Sequence, residues 1–356
     1  MFRSSSSIED PVGNEENISL QEWSSLFDAA IAFKHLKCWE WMYDRDVFGV
    51  QNPETGEVGY CCVMGQLGEV LALNVYLGPK GFASYRQVQE LAHQGASGDA
   101  LSPHALLNTQ RCVMASFEDR TELHEQDLRL IKSLGLKFRG KKEWPMFQSY
   151  QPGYLPWFLT RSEARFLTVA LQQAIHVVEK IRVNPHLLDA SDNGELKILV
   201  RMCENEKWSD AWEDPPAYET PAMIPIINEL HLAQLKKANF SRRGLWAADC
   251  IMLPMPIREG ARPYYPYGFP VLTSEGQLMG MELIHSEELH SKLPKAFLNL
   301  LENQQCIPQS LRVGSEQAFV LLEPITRKLQ IPLQHAQSIP ELEFFLQSMD
   351  EYFGGY

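Results

Sequence analysis

The chain has 356 residues, with 32 Lys plus Arg against 45 Asp plus Glu and a net charge of −13. Hydrophobic residues make up 45% and charged residues 22%, a globular balance that excludes a disordered, collagen-like or disulfide-scaffold chain. The acidic excess weighs against a protein that coats nucleic acid or an anionic membrane, while leaving room for a local basic patch.

At roughly 150 residues per domain, two domains are expected. No run of about 20 apolar residues is present, so no membrane-spanning helix is expected. The opening Met1-Phe2-Arg3 followed by four serines lacks the apolar stretch of a secretory leader. The cysteines are Cys38, Cys61, Cys62, Cys112, Cys203, Cys250 and Cys306. Their number is odd and they form no CxxC pair, which predicts buried free thiols and a cytoplasmic protein. Cys61 and Cys62 are adjacent on an expected strand, so they face opposite ways and hold no common metal.

Residues 1–17 read as a polar, disordered tail. Ser19-Leu20-Gln21-Glu22 is a capping-box pattern, and the spacing of Trp23, Leu26, Phe27, Ala30 and Ile31 predicts a helix behind it. Three strands follow, around Val47–Val50, Tyr60–Met64 and Val70–Leu77, joined by short glycine turns as an antiparallel meander. A helix is expected over 85–93, a loop over 94–104, a strand over 112–117 and a helix carrying Leu123, Asp127, Leu130, Ile131 and Leu134. Thr160-Arg161-Ser162-Glu163 opens a further helix, with Leu167, Ala170, Leu171, Ala174 and Val178 inward. A hairpin runs from about 196 to 212. The proline-rich stretch 215–225 separates an N-terminal α+β domain (18–214) from a C-terminal α/β domain (226–356). That second domain reads β-β-β-α-β-α-β-α, starting from an apolar strand Leu245–Leu253.

Three strands and then alternating helices and strands resemble the ribonuclease H-like fold. Active members of that fold gather carboxylates around two divalent metals. The resemblance implies Asp249 for the first strand and Glu287 or Glu288 near the first helix. The fourth strand ends in Gly314-Ser315-Glu316, with Glu316 where an aspartate is wanted. The set Asp249, Glu288 and Glu316 is therefore incomplete as a nuclease site, and Mg or Mn enters only if that site is active.

The segments Val63-Met64-Gly65-Gln66-Leu67-Gly68-Glu69, Val75-Tyr76-Leu77-Gly78-Pro79-Lys80-Gly81-Phe82 and Pro152-Gly153-Tyr154-Leu155-Pro156-Trp157 also make the whole chain similar to a bacterial two-domain family of unknown function. That family supplies no activity.

Gly78-Pro79-Lys80-Gly81 lacks the spacing of a phosphate loop, and Gly65, Gly68, Gly78 and Gly81 read as turns of positive φ. The aromatic candidates for binding are Tyr264, Tyr265 and Tyr267, with Arg262 beside them, and Trp157 and Trp208 in the first domain, Trp157 opening a helix. Two basic runs interrupt the acidic chain: Lys236, Lys237, Arg242 and Arg243 around Phe240, and Lys137, Arg139, Lys141 and Lys142, read as a loop. No metal site is predicted. The reading is a non-enzymatic binding or regulatory protein with a protein or small-molecule partner, and the alternative is a divalent-metal nuclease or phosphodiesterase. Nucleic acid is disfavoured as a partner by the charge, and no membrane partner is expected.

Overall fold

The computed structural model describes residues 17–95, 109–189 and 197–353. Nearly all of the expected tail and most of the 94–104 loop lie outside the described residues. The chain divides into two compact units, Met1–Pro152 with Pro156–Tyr218, and Gly153–Leu155 with Glu219–Tyr356. The division after Tyr218 falls inside the proline-rich stretch. The strap Gly153–Leu155 belongs to the second unit because its backbone pairs there: Leu155 N donates to Pro263 O at 3.0 Å and Tyr265 N to Gly153 O at 2.7 Å.

In the first unit, helix α1 (Leu20–His35) starts at the expected capping box. Glu22 N donates to the Ser19 hydroxyl at 3.2 Å, and Ser19 N to Glu22 Oε2 at 2.8 Å. Strands β1 (Phe48–Gln51), β2 (Val58–Met64) and β3 (Leu71–Leu77) form the meander. Helix α2 (Gly78–Gly95), β4 (Cys112–Glu118), α3 (Glu125–Ser133), β5 (Trp144–Tyr150) and α4 (Arg161–Val183) follow. The hairpin β6 (Ile198–Glu204) and β7 (Lys207–Glu213) completes the sheet. The strand order is β5-β4-β3-β2-β1-β6-β7, antiparallel except where β1 and β6 run parallel.

Alternation along the strands sorts the side chains into two layers. Cys61, Val63, Leu73, Val75, Val113 and Phe117 share a core with Phe27 and Phe33 of α1 and Leu167, Leu171 and Val178 of α4. Tyr60, Cys62, Tyr76 and Cys112 pack with Phe82 and Tyr85 of α2. Each fully buried Leu, Val or Phe contributes about 1.5–3 kcal/mol, so the long apolar stripe of α4 is a principal fastening of this unit. Cys61 and Cys62 fall in different layers, as strand geometry requires.

Three expectations change here. The helix read as starting at 85 begins at Gly78, so Gly78-Pro79-Lys80-Gly81 is its first turn, with Pro79 at a position that needs no amide. Gly65, Gly68 and Gly78 do have positive φ, but Gly81 does not. Gly81 instead admits close backbone approach: a Cβ there would lie 2.7 Å from the carbonyl carbon of Tyr76 and 3.0 Å from Arg111 O. Trp157 opens no helix. It pairs with Ser149 through two backbone hydrogen bonds of 2.8 and 3.0 Å, and α4 begins later, behind Thr160.

The second unit carries α5 (Glu229–Lys237), β8 (Ser241–Arg242), β9 (Leu245–Ala248), β10 (Ile251–Met252), β11 (Tyr267–Thr273) and β12 (Leu278–Ile284). Helix α6 (Leu289–Gln304), β13 (Cys306–Ile307), β14 (Ser310–Val313), α7 (Glu316–Lys328), β15 (Leu333–His335) and α8 (Pro340–Phe353) follow. β9 pairs antiparallel with β11 and parallel with β14, β12 runs antiparallel to β11, and β15 parallel to β14. The sheet order is β11-β9-β14-β15, with β10 and β12 both antiparallel to β11. The chain winds to one side of β9 through β11 and β12, then crosses through α6 to β14 on the other. The apolar run 245–253 is broken at Asp249 into β9 and β10, since its carboxylate takes hydrogen bonds where strand pairing would continue. Leu293, Phe297, Leu301, Leu321 and Ile325 bury one face of this sheet, while Ile339 and Leu342 cover Ala247 and Leu272 on the other.

Candidate functional site

The run read as a basic loop is half of a pocket in the first unit. Its construction starts with α3, whose first turn is closed by His124 N donating to Asp127 Oδ2 at 3.0 Å. The helix ends at Leu134, and Gly135 takes a left-handed φ of 69°. Gly135 N donates to Lys132 O and Leu136 N to Ile131 O, each at 3.1 Å, the paired bonds that seal a helix end when glycine follows it. The chain then turns its side chains alternately. Leu136 and Phe138 pack on the core, and Lys137 and Arg139 point to solvent. Pairing of β4 with β5 sets Trp144 opposite Glu118, two residues from Arg120.

The result is a pocket of about 590 Å³ with an apolar floor of Leu128, Ile131, Leu136, Phe138 and Trp144. Its rim carries Arg120, Arg129, Lys132, Lys137 and Arg139, and no carboxylate lines it. All five cations are exposed, and none takes part in an ion pair among the described residues. Three carboxylates nearby, Glu118, Asp119 and Glu143, are engaged elsewhere. Lys142 donates through Nζ to Glu118 at 2.9 Å and through its backbone to Asp119 at 2.7 Å, and Glu143 pairs with Lys34. Arg120 lies 5.8 Å over the indole of Trp144, and Phe138 meets that indole edge-on at 5.8 Å. The pocket offers positive charge around aromatic surface.

The sequence shows Lys137 and Arg139 only as part of a basic loop, whose Lys141 and Lys142 do not line the pocket, and it does not single out Arg120, Arg129, Lys132 or Trp144. The available signal was Arg129 and Lys132 three apart on the polar side of a helix, followed at once by alternating Lys137 and Arg139.

The carboxylates proposed as catalytic do not form one cluster. Asp249, at the end of β9, accepts hydrogen bonds from Cys250 N at 2.7 Å, Ser315 N at 2.9 Å and the Ser315 hydroxyl. Glu316 is exposed in the first turn of α7, 3.9 Å from His335. Glu288 pairs with Lys292 at 2.8 Å on another element. Among the described residues, no group of three His, Cys, Asp or Glu side chains is placed to hold a metal ion.

The aromatic candidates separate as well. Tyr264 and Arg262 come together with Tyr154 and His285: Tyr264 lies 4.3 Å from the His285 ring, and Arg262 lies 5.6 Å over Tyr154. Both tyrosine hydroxyls are committed, Tyr154 to Glu287 and Tyr264 to Glu259, each at 3.3 Å. Burial and then the adjacent carboxylate raise both phenol pKa values. This cluster clamps the strap 153–155. Tyr265 is buried, and Tyr267 packs on the second core. In the first unit, Trp157 stacks edge-on with Phe158 at 5.2 Å, and Trp208 lies under Arg201 at 5.9 Å. Of the other basic run, Lys236 and Lys237 sit in the last turn of α5, and Arg242 binds the carbonyls of Leu329 and Gln330 at the end of α7.

Two protein families match the chain. Residues 23–201 match a domain of unknown function, DUF7309, and residues 231–350 match a second, DUF6930. Comparison with curated proteins and with solved structures gives no significant match. The chain belongs to the DUF7309 family of unknown function, with a DUF6930 domain as its second part.

Proposed function

We propose that the protein is a non-enzymatic binding protein whose first unit takes up an anionic ligand in the Arg120–Trp144 pocket. One observation carries the reading: five exposed cations, without ion-pair partners among the described residues, gather on one apolar-floored pocket of a chain with net charge −13. Like charges crowd together at a cost that a bound anion removes. The apolar floor adds the concave surface typical of small-molecule sites.

The second unit is read as a ribonuclease H-like domain reused for stability or binding. Its strand order supports that likeness. The three donors on Asp249 support a structural role for that carboxylate over a share in phosphodiester cleavage. Seven cysteines without a disulfide support a reducing compartment, hence a cytoplasmic protein.

Titration calorimetry of the full chain with inorganic tripolyphosphate tests the reading. Binding is expected at low salt, weaker at high salt, and lost in the charge-reversal pair Arg129→Glu/Lys132→Glu. Absence of binding at low salt, or equal binding by that variant, overturns it.

A further inference from the structure

We infer that the ligand of this pocket is a free nucleotide bearing several phosphates, an inference that rests on the anion-binding reading above. The floor is the first argument. A bare inorganic anion has no use for Phe138 and Trp144, whereas a planar base stacks on such rings and gains affinity by it. The volume of about 590 Å³ lies within the range of sites for molecules of this size.

The rim is the second argument. Arg129 and Lys132 stand three apart on α3, and Lys137 and Arg139 project from the extended segment after Gly135. A ligand resting on the floor therefore meets cations from two chain segments, as several phosphate groups need. Arg120, 5.8 Å from the Trp144 ring, adds a third cation-bearing segment beside the indole. The helix end here is a C-terminus, whose partial negative charge favours a cation such as Lys132. The anion is held by side chains, without the helix amides of a phosphate loop.

Charge decides between a free nucleotide and a nucleic acid. Screening limits the reach of the patch to about 8 Å at physiological ionic strength. A short ligand ends inside that reach. A long polyanion runs past it onto a chain that is strongly acidic overall.

Calorimetric titration of the full chain, in the presence of a chelator, with ATP, inorganic tripolyphosphate, adenosine and a single-stranded oligonucleotide tests the inference. ATP is expected to bind about tenfold or more tighter than tripolyphosphate, the increment of one stacked base. Trp144→Ala removes that advantage and keeps tripolyphosphate binding, while Trp144→Phe, which retains a ring and the packing beneath it, restores most of it. Tripolyphosphate binding as tightly as ATP overturns the nucleotide and leaves the anion site standing. Binding of neither overturns both. An oligonucleotide binding more tightly than ATP overturns the free nucleotide in favour of a single strand.

Discussion

Asp249 holds Ser315: one oxygen of the carboxylate takes both the amide and the hydroxyl of the serine that opens α7. Ser315 in turn accepts the Ala318 amide at 3.2 Å, so the end of β9 is tied to the first turn of α7 through two side chains. Gly314 makes room for this, since any Cβ there would overlap the other oxygen of Asp249. Asp249→Ala strips partners from partly buried amides and is expected to cost the second unit about 2–3 kcal/mol. Ser315→Ala, a lost helix cap, is expected to cost about 1 kcal/mol. Urea denaturation of each variant measures this. An Asp249→Ala protein as stable as the parent would return that carboxylate to the list of groups free for chemistry.

Glu22 predicts how the first unit responds to acid. It closes the capping box of α1 and receives Arg161 Nε at 2.9 Å and Arg165 Nε at 2.6 Å. The hydrogen bond from Arg161, then those from Ser19, hold its carboxyl well below the ordinary range. A carboxyl depressed in the folded state stabilises fully above its unfolded pKa of about 4.3. That contribution shrinks as the pH drops below this value and is gone once it passes the folded one. Glu22→Gln is expected to cost about 1 kcal/mol at neutral pH, the scale of an exposed network with a cap. The gap between parent and variant narrows in acid. Thermal unfolding followed across the acid range reads it, and a constant gap contradicts the assignment.

What the sequence disclosed and what it hid divide along the range of the interaction. The capping boxes at Ser19 and Thr160 and the apolar stripe of α4 were legible, because each depends on residues within a few positions. The break at Asp249 was not, because an apolar run carries no sign of a hydrogen bond to a serine 66 residues away. The burial of Tyr265 beside a half-buried Tyr264 is not legible either, because the backbone of Tyr265 pairs with Gly153, more than a hundred residues earlier. Of the pocket only the basic run was legible, and as a loop, since Trp144 reaches Arg120 only through the β4–β5 pairing.

Gly81 is a test of close approach without strain in φ. The nearest atoms to an added Cβ belong to backbone, Tyr76 and Arg111, which have no rotamer to move. Gly81→Ala therefore displaces α2 from the sheet and is expected to cost about 1–3 kcal/mol, the usual penalty of overpacking. Gly56→Ala serves as the contrast, since open space surrounds that position and only its φ of 77° resists. Urea denaturation of Gly81→Ala decides, and a variant as stable as the parent would overturn the close approach.

Thiol reactivity follows from the two layers of the first sheet. Cys61 lies under α1 and α4, Cys62 and Cys112 under α2, and burial pushes all three thiols up in pKa. Burial likewise pushes Cys38 and Cys250 up to about 12. The thiolate is the reactive form, so these five resist alkylation twice over, by access and by charge state. Cys306 is buried too, and Cys203 alone is half-exposed, at the outer end of β6. Native protein treated with a thiol reagent at neutral pH is expected to label rapidly at Cys203, with the full seven reached only on unfolding. Mass spectrometry of the labelled peptides reads the order. Rapid native labelling of Cys61 or Cys62 would mean that the sheet opens on the time scale of the reagent, and the two can be told apart by which helix layer lets the reagent in.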